Sequence, residues 1–180
     1  IAHNSRGYDS KFIVDWIIQN TTLKPKNIYA GLKLMYVDIP QYSIKLGDSL
    51  NFLTMPLSAF PKTFGEKELK KGFFPHWFNT VENKDYIGPM PDKKFFKPEK
   101  FSVIVFEEFQ NWYNKCLFKK SLNIIAGKPP EYEWNHKKEL REYCISDVDI
   151  LRKCMIKFRQ MYLDIADIDP LKYITIAGVC

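Results

Sequence analysis

Apolar side chains recur at helical spacing in two well-separated stretches of this chain. Phe12, Ile13, Trp16 and Ile17 mark the first, and their spacing predicts a helix from Ser10 to Asn20. Leu140, Cys144, Val148, Leu151, Met155 and Phe158 mark the other, as the apolar face of a long helix from about His136 to Asp164. Between them, Ile28 to Ile39 and Tyr42 to Leu46 read as two strands around Pro40, a hairpin with a longer-than-minimal turn. A short helix near Pro56 to Phe60 is expected to be limited by Pro61, and Thr63 to Lys71 is Lys/Glu-rich and helix-like. Gly72 to Lys97 mixes aromatics, Pro and Gly without a clean period and reads as an ordered insert or long loop. Pro98 suits a first helical turn, with the helix running through Phe101, Val105, Phe109, Trp112 and Tyr113 to about Phe118. Ile124 and Ile125 fit a strand or a turn, and Asp169-Pro170 opens a last segment. Strands mixed with long helices predict an α/β layered fold.

Two carboxylates interrupt this pattern. Asp9 sits where the loop His3-Asn4-Ser5-Arg6-Gly7-Tyr8 becomes the first helix. Asp147 lies one helical turn after Tyr143, so the two share a face that is otherwise apolar. A carboxylate there is costly unless a cation or hydrogen bonds receive it. Two such carboxylates, if folding unites them, point to a divalent-metal site. The plainer readings are an N-cap for Asp9, a buried ion pair with a lysine for Asp147, and a core aromatic for Tyr143.

Charge and cysteines change the picture little. The chain has 180 residues and a net charge of +6, a balance that favours a polyanionic partner without proving one. Cys116, Cys144, Cys154 and Cys180 form no C-x-x-C pair and no metal-ligand spacing. They read as reduced thiols, two of them on the core face of the long helix, in an intracellular protein. No apolar run is long enough to span a membrane, and no signal peptide is visible. His76 and His136 lack partners at ligand spacing and read as surface or core. Phe73, Phe74, Trp77, Phe78, Phe95 and Phe96 are expected in packing rather than as stacking surfaces for bases.

The motifs carry a resemblance. N-x-x-x-Y-D at Asn4 to Asp9 and Y-x-x-x-D at Tyr143 to Asp147 resemble the second and third motifs of the 3′–5′ proofreading exonuclease of family B DNA polymerases. His3-Asn4, Asp48-Ser49-Leu50, Lys71-Gly72-Phe73-Phe74-Pro75-His76, Phe78-Asn79, Asp147-Val148-Asp149-Ile150-Leu151-Arg152 and Asp169-Pro170 with Tyr173 resemble the protein-primed branch. That branch serves phages, linear plasmids and Polinton/Maverick elements, and the wording from Lys71 onward is most similar to the Polinton-type members. The resemblance spans nearly the whole chain.

It implies a ribonuclease-H-like exonuclease fold, truncated at its N-terminal strand, over residues 1–165, with 166–180 as the start of a polymerase domain. Asp9 and Asp147 are implied as metal-ligand carboxylates for two Mg²⁺ or Mn²⁺ ions, which suit oxygen ligands and two-metal phosphodiester hydrolysis. Tyr143 is implied to orient the attacking water, and Lys71, with Lys70 adjacent, to assist catalysis. His3, Asn4, Tyr8, Ser49 and Leu50 are implied to contact the 3′ end of single-stranded DNA. By themselves Ser49 and Leu50 read as a turn and a core residue, and the two lysines as a solvated face. Primer-template DNA and a terminal-protein primer are further implied partners, no membrane is expected, and a eukaryotic host implies the nucleus or a viral or transposon replication site.

The family's first motif, Asp-x-Glu, is absent and is expected before Ile1, so the chain reads as a fragment that is inactive alone. The competing expectations are a degenerate, transposon-derived remnant that only holds single-stranded DNA, and a stand-alone exonuclease. The blocks from Asp48 to Asn79 weigh against the latter.

Overall fold

A computed structural model describes residues 1–66, 72–125 and 133–179, with the backbone alone over 119–125. The chain is mixed α/β and divides into two compact units, Ile1–Lys70 with Val148–Cys180, and Lys71–Asp147. Of the helix expected over Thr63 to Lys71, the described residues after Thr63 (Phe64 to Glu66) are not helical, and the remainder, with Lys70 and Lys71, lies outside the described residues.

In the first unit, helix α1 (Asp9–Asn20) buries Ser10, Val14 and Ile17, one face at spacings of four and three. That face packs on Leu34, Val37 and Ile39 of a three-stranded sheet. The helix ends where Thr21 takes the Ile17 carbonyl with both its backbone N–H (3.0 Å) and its hydroxyl (2.7 Å). The sheet is antiparallel in the order β1 (Lys26–Ala30), β2 (Lys33–Ile39), β3 (Ile44–Gly47). The stretch expected as one strand from Ile28 to Ile39 is therefore two. Gly31 turns the chain with φ 59°, a conformation open to glycine at little cost. The second corner is the expected one at Pro40, a 3₁₀ turn over Pro40–Tyr42 that closes on Ser43 at φ 54°.

Pro61 does not limit its helix. It occupies the first turn of α2 (Phe60–Thr63), where its missing N–H costs nothing, and the stop comes at Gly65 with φ 69°. Phe52, Leu57 and Phe60 then form the second core of this unit with Ile150, Cys154, Met155 and Phe158.

Those last four residues belong to α4 (His136–Ala166), close to the expected span, and of its expected apolar face Met155 and Phe158 are buried while Leu140 and Leu151 pack against cores, whereas Cys144 and Val148 do not. Cys144 is exposed and Val148 is 64% exposed, while Ile150 and Cys154 are fully buried. Apolar residues occur on several sides of this helix, including Ile145 and Ile156, so spacing alone does not select the side that packs. Of the two cysteines expected on the core face, Cys154 holds that position and Cys144 does not. Arg159 of α4 grips Asp169, beyond the helix end, through two bonds (3.0 and 2.7 Å), and Asp169 also caps Leu171 N (3.1 Å). The arginine holds the Asp169 carboxyl below the ordinary carboxylate range.

The second unit is an aromatic core. Phe74, Phe96, Phe109, Tyr113 and Trp134 are buried together, with Tyr143 and Leu140 packed against them. Helix α3 (Val103–Ile125) supplies Phe109 and Tyr113, one turn apart, and includes Ile124 and Ile125, which are neither strand nor turn. A two-residue ladder joins β4 (Ile87–Gly88) to β5 (Trp134–Asn135). Gly72 to Lys97 is thus ordered by 3₁₀ turns at His76–Phe78 and Lys93–Phe96. Among the described residues no helix is long and apolar enough to cross a membrane.

Candidate functional site

The loop that opens the chain is tied to a segment more than forty residues later. Ala2 forms an isolated parallel bridge with Asp48, donating to Gly47 O (3.0 Å) and accepting from Ser49 N (2.8 Å). Asp48 is 1% exposed, and its carboxylate receives three backbone N–H groups: Asn4 (2.9 Å), Arg6 (2.8 Å) and Leu50 (2.9 Å). A buried carboxylate is tolerated here because those amides replace its water. His3 Nδ1 lies 2.8 Å from the fully buried Ser49 hydroxyl, and the His3 ring stands edge-on to Phe60 at 5.3 Å. Arg6 reaches Asn51 Oδ1 (3.4 Å), and Asn51 in turn donates to Met35 O on β2 (2.9 Å).

Four of the expected strand-contacting residues, His3, Asn4, Ser49 and Leu50, are thereby brought into one network. Asn4 is exposed and held at φ 61°, in the left-handed region that asparagine tolerates better than most residues. Tyr8 precedes α1 as its N-cap residue, is 66% exposed, and rests its ring against Phe12 at 4.8 Å.

Asp9 is exposed at the first position of α1. Tyr8 occupies the cap position and no side chain makes a cap bond, so the capping reading of Asp9 does not hold.

Asp48, Arg6 and Asn51 are the residues that sequence reasoning passed over. The available signal was an aspartate two residues before a backbone N–H at a turn, the pattern of an Asx-turn. Nothing in the sequence pairs it with Asn4 and Arg6.

On α4, Tyr143 and Asp147 share one face, as expected from their spacing. Tyr143 is half-buried, with its ring 5.2 Å from Phe74 and 5.4 Å from His76. Asp147 is half-buried, with its Oδ1 atom shielded from solvent. Asp147 closes the second unit, whereas Asp9 belongs to the first. The two carboxylates are hard oxygen donors of the kind Mg²⁺ and Mn²⁺ take. Among the described residues, no group of three or more His, Cys, Asp or Glu side chains is placed to hold a metal ion. Asp9 and Asp147 each offer one carboxylate of that kind, in different units.

His136 is core. It is fully buried, accepts from Trp134 Nε1 at its Nδ1 (3.3 Å), and lies 3.1 Å from Asn79 Oδ1 through its Nε2. An indole N–H only donates, so Nδ1 is the acceptor and the ring is neutral with its proton on Nε2. Burial pushes the His136 pKa down, in keeping with that state. His76 is exposed, with its ring against Phe74 and Tyr143.

Comparison with known proteins sets these residues in context. The family model for DNA polymerase type B, organellar and viral, matches residues 1–179. A probable DNA polymerase of Neurospora intermedia is 32% identical over 99% of this chain and 18% of its own length. Probable DNA polymerases of Ascobolus immersus and Agaricus bitorquis are 28% and 27% identical, each over 99% of this chain. The chain spans only 14% to 20% of the length of these relatives. No solved structure matches it. With the match running over nearly its whole length, the chain belongs to the organellar and viral family of type B DNA polymerases.

Proposed function

We propose that residues 1–165 are the 3′–5′ exonuclease region of a protein-primed DNA-directed DNA polymerase, with a ribonuclease-H-like fold, and that 166–180 begin its polymerase domain. The observation that carries the reading is the network around Asp48. It joins His3-Asn4 to Ser49-Leu50, the two strand-contacting motifs that the exonuclease resemblance requires to lie side by side. The family brings divalent-metal use and a DNA substrate in general terms. A terminal-protein primer rests on the resemblance alone.

The chain's own residues divide the work. Asn4 and the exposed Tyr8 hold the 3′-terminal nucleotides, while His3, Ser49 and Leu50 fix the loop against which the strand lies. The Tyr143 hydroxyl orients the attacking water. A phenol that titrates near 10 is a poor general base, so its part is positional. Lys71 assists at the phosphate. Asp9 and Asp147 would hold Mg²⁺ or Mn²⁺ with the upstream Asp-x-Glu. Such ions, when bound, make water nucleophilic at neutral pH and offset the developing charge.

The test is hydrolysis of a 3′-labelled single-stranded oligonucleotide by the full-length polymerase in Mg²⁺. Asp147→Ala is expected to abolish hydrolysis and leave DNA binding largely intact, because the aspartate acts through metal. Tyr143→Phe is expected to slow cleavage less. Near-normal rates for Asp147→Ala overturn the mechanism. Binding without any hydrolysis by the unmutated polymerase replaces it with the non-catalytic remnant.

A further inference from the structure

We propose a second contact surface for single-stranded DNA, formed in the Lys71–Asp147 unit by Trp77 and the lysines of the Lys93–Lys100 segment, and made of residues other than those assigned above. Of the six aromatics at Phe73, Phe74, Trp77, Phe78, Phe95 and Phe96, the core takes Phe74, Phe78 and Phe96 fully and Phe73 and Phe95 in part. Trp77 is left 60% exposed. Its position is fixed from beneath, because buried Phe78 packs on Phe95 at 5.1 Å and so seats the 3₁₀ turn His76–Phe78 against the turn Lys93–Phe96.

That seating brings one lysine to the exposed indole, with three more in the same segment. Lys97 Nζ stands 4.5 Å from the centre of the Trp77 ring, and Lys94 and Lys100 are exposed nearby in sequence. Lys93 Nζ lies over Tyr113 at 5.1 Å. Asp92 and Glu99 are the acids of the segment. Asp92 spends its carboxylate on Lys94 N (2.9 Å), and Glu99 lies 3.8 Å from Lys97. Four lysines against two acids leave a net positive stretch from Asp92 to Lys100.

Lys97 itself is held at φ 55°, ψ 53°, directly before Pro98. A bulky residue in the left-handed region is unfavourable, and a following proline restricts it further. Such strain is kept where surrounding structure over-determines it, and functional sites are where it concentrates. Here it turns the chain between two 3₁₀ turns and brings the Lys97 ammonium to the indole.

An exposed aromatic face beside a run of lysines is the combination that binds unpaired bases and their phosphates together. Duplex DNA offers no free base face, so single-stranded DNA is the occupant these groups fit. The proposal rests on the polymerase reading only for the identity of the polyanion. Its readout is binding rather than hydrolysis, so each can fail while the other stands.

The experiment measures binding of a fluorescent oligo-dT to full-length polymerase carrying Asp147→Ala, which keeps the probe intact, over a series of salt concentrations. Trp77→Ala is expected to weaken binding about 5- to 150-fold with the salt slope unchanged. Trp77→Phe is expected to restore most of it. Lys97→Gln with Lys100→Gln should flatten the slope of log K against log[salt] by about 1.4, roughly 0.7 for each phosphate lost. Unchanged affinity in Trp77→Ala, or equal loss on duplex and single strands, overturns the proposal. Trp77 is exposed, so an unaltered melting temperature in the variant confirms that binding and not folding was changed.

Discussion

Replacing Asp48 is the sharpest probe of how this chain builds its site. The carboxylate accepts from Asn4, Arg6 and Leu50 at 2.8–2.9 Å and is 1% exposed. A hydrogen bond to a charged group contributes about 1.5–3 kcal/mol, so three of them set an upper bound near 4.5–9 kcal/mol. Two effects lower the figure. Removing the aspartate also removes the cost of burying its charge, and water reaches exposed Asn4 once the carboxylate is gone. Asp48→Ala is therefore expected to destabilise the first unit by about 3–5 kcal/mol.

Asp48→Asn separates geometry from charge. Its amide oxygen can replace the oxygen that serves Asn4 and Leu50, but its NH₂ then faces the Arg6 N–H, donor against donor. One bond of three is lost, at about 1.5–3 kcal/mol. Urea denaturation of the chain supplies the totals. Hydrogen exchange at the Asn4, Arg6 and Leu50 amides supplies the location: all three should accelerate in the alanine variant and Arg6 most in the asparagine variant. An alanine variant within about 1 kcal/mol of the unmutated chain refutes the reasoning. So does an asparagine variant as damaged as the alanine one.

Two further outcomes follow from single residues. His136 is buried with a lowered pKa, so the unfolded chain takes up a proton before the folded one does. Stability should be full above the unfolded value of about 6.5 and fall below it, by up to about 1.4 kcal/mol per pH unit, until the folded pKa is passed. Melting temperatures from about pH 7.5 down to about pH 5 should decline in the unmutated chain and lose most of that slope in His136→Gln; equal slopes dismiss the histidine as the cause. Gly31→Ala meets no atom within 4 Å, so its cost is the left-handed backbone alone, about 1–2 kcal/mol. A neutral result by urea denaturation means the β1–β2 turn can adopt another conformation.

The sequence alone determined the parts that depend on near neighbours. Helical spacing placed α1 within a residue of its start and α4 within a few of its ends, since apolar periodicity and the residues that break it are local. It also fixed Tyr143 and Asp147 on one face, because four residues make one turn. Motif wording carried the polymerase family, which the match over residues 1–179 shows.

Tertiary structure decided everything that needed a partner. Gly31 splits a strand because β1 must fold back on β2, and Pro61 sits in the first turn of a helix whose Phe60 is buried in the core. The buried side of α4 was settled by Phe52, Leu57 and Phe60 packing on Ile150 and Cys154, a choice that spacing leaves open when apolar residues lie on several sides. The same holds for the site. Asp48 stood in the sequence as one letter of a motif. It became the centre of the network only when the fold carried the Asn4 and Arg6 amides to it across more than forty residues, because a buried carboxylate is stable only where backbone donors converge on it.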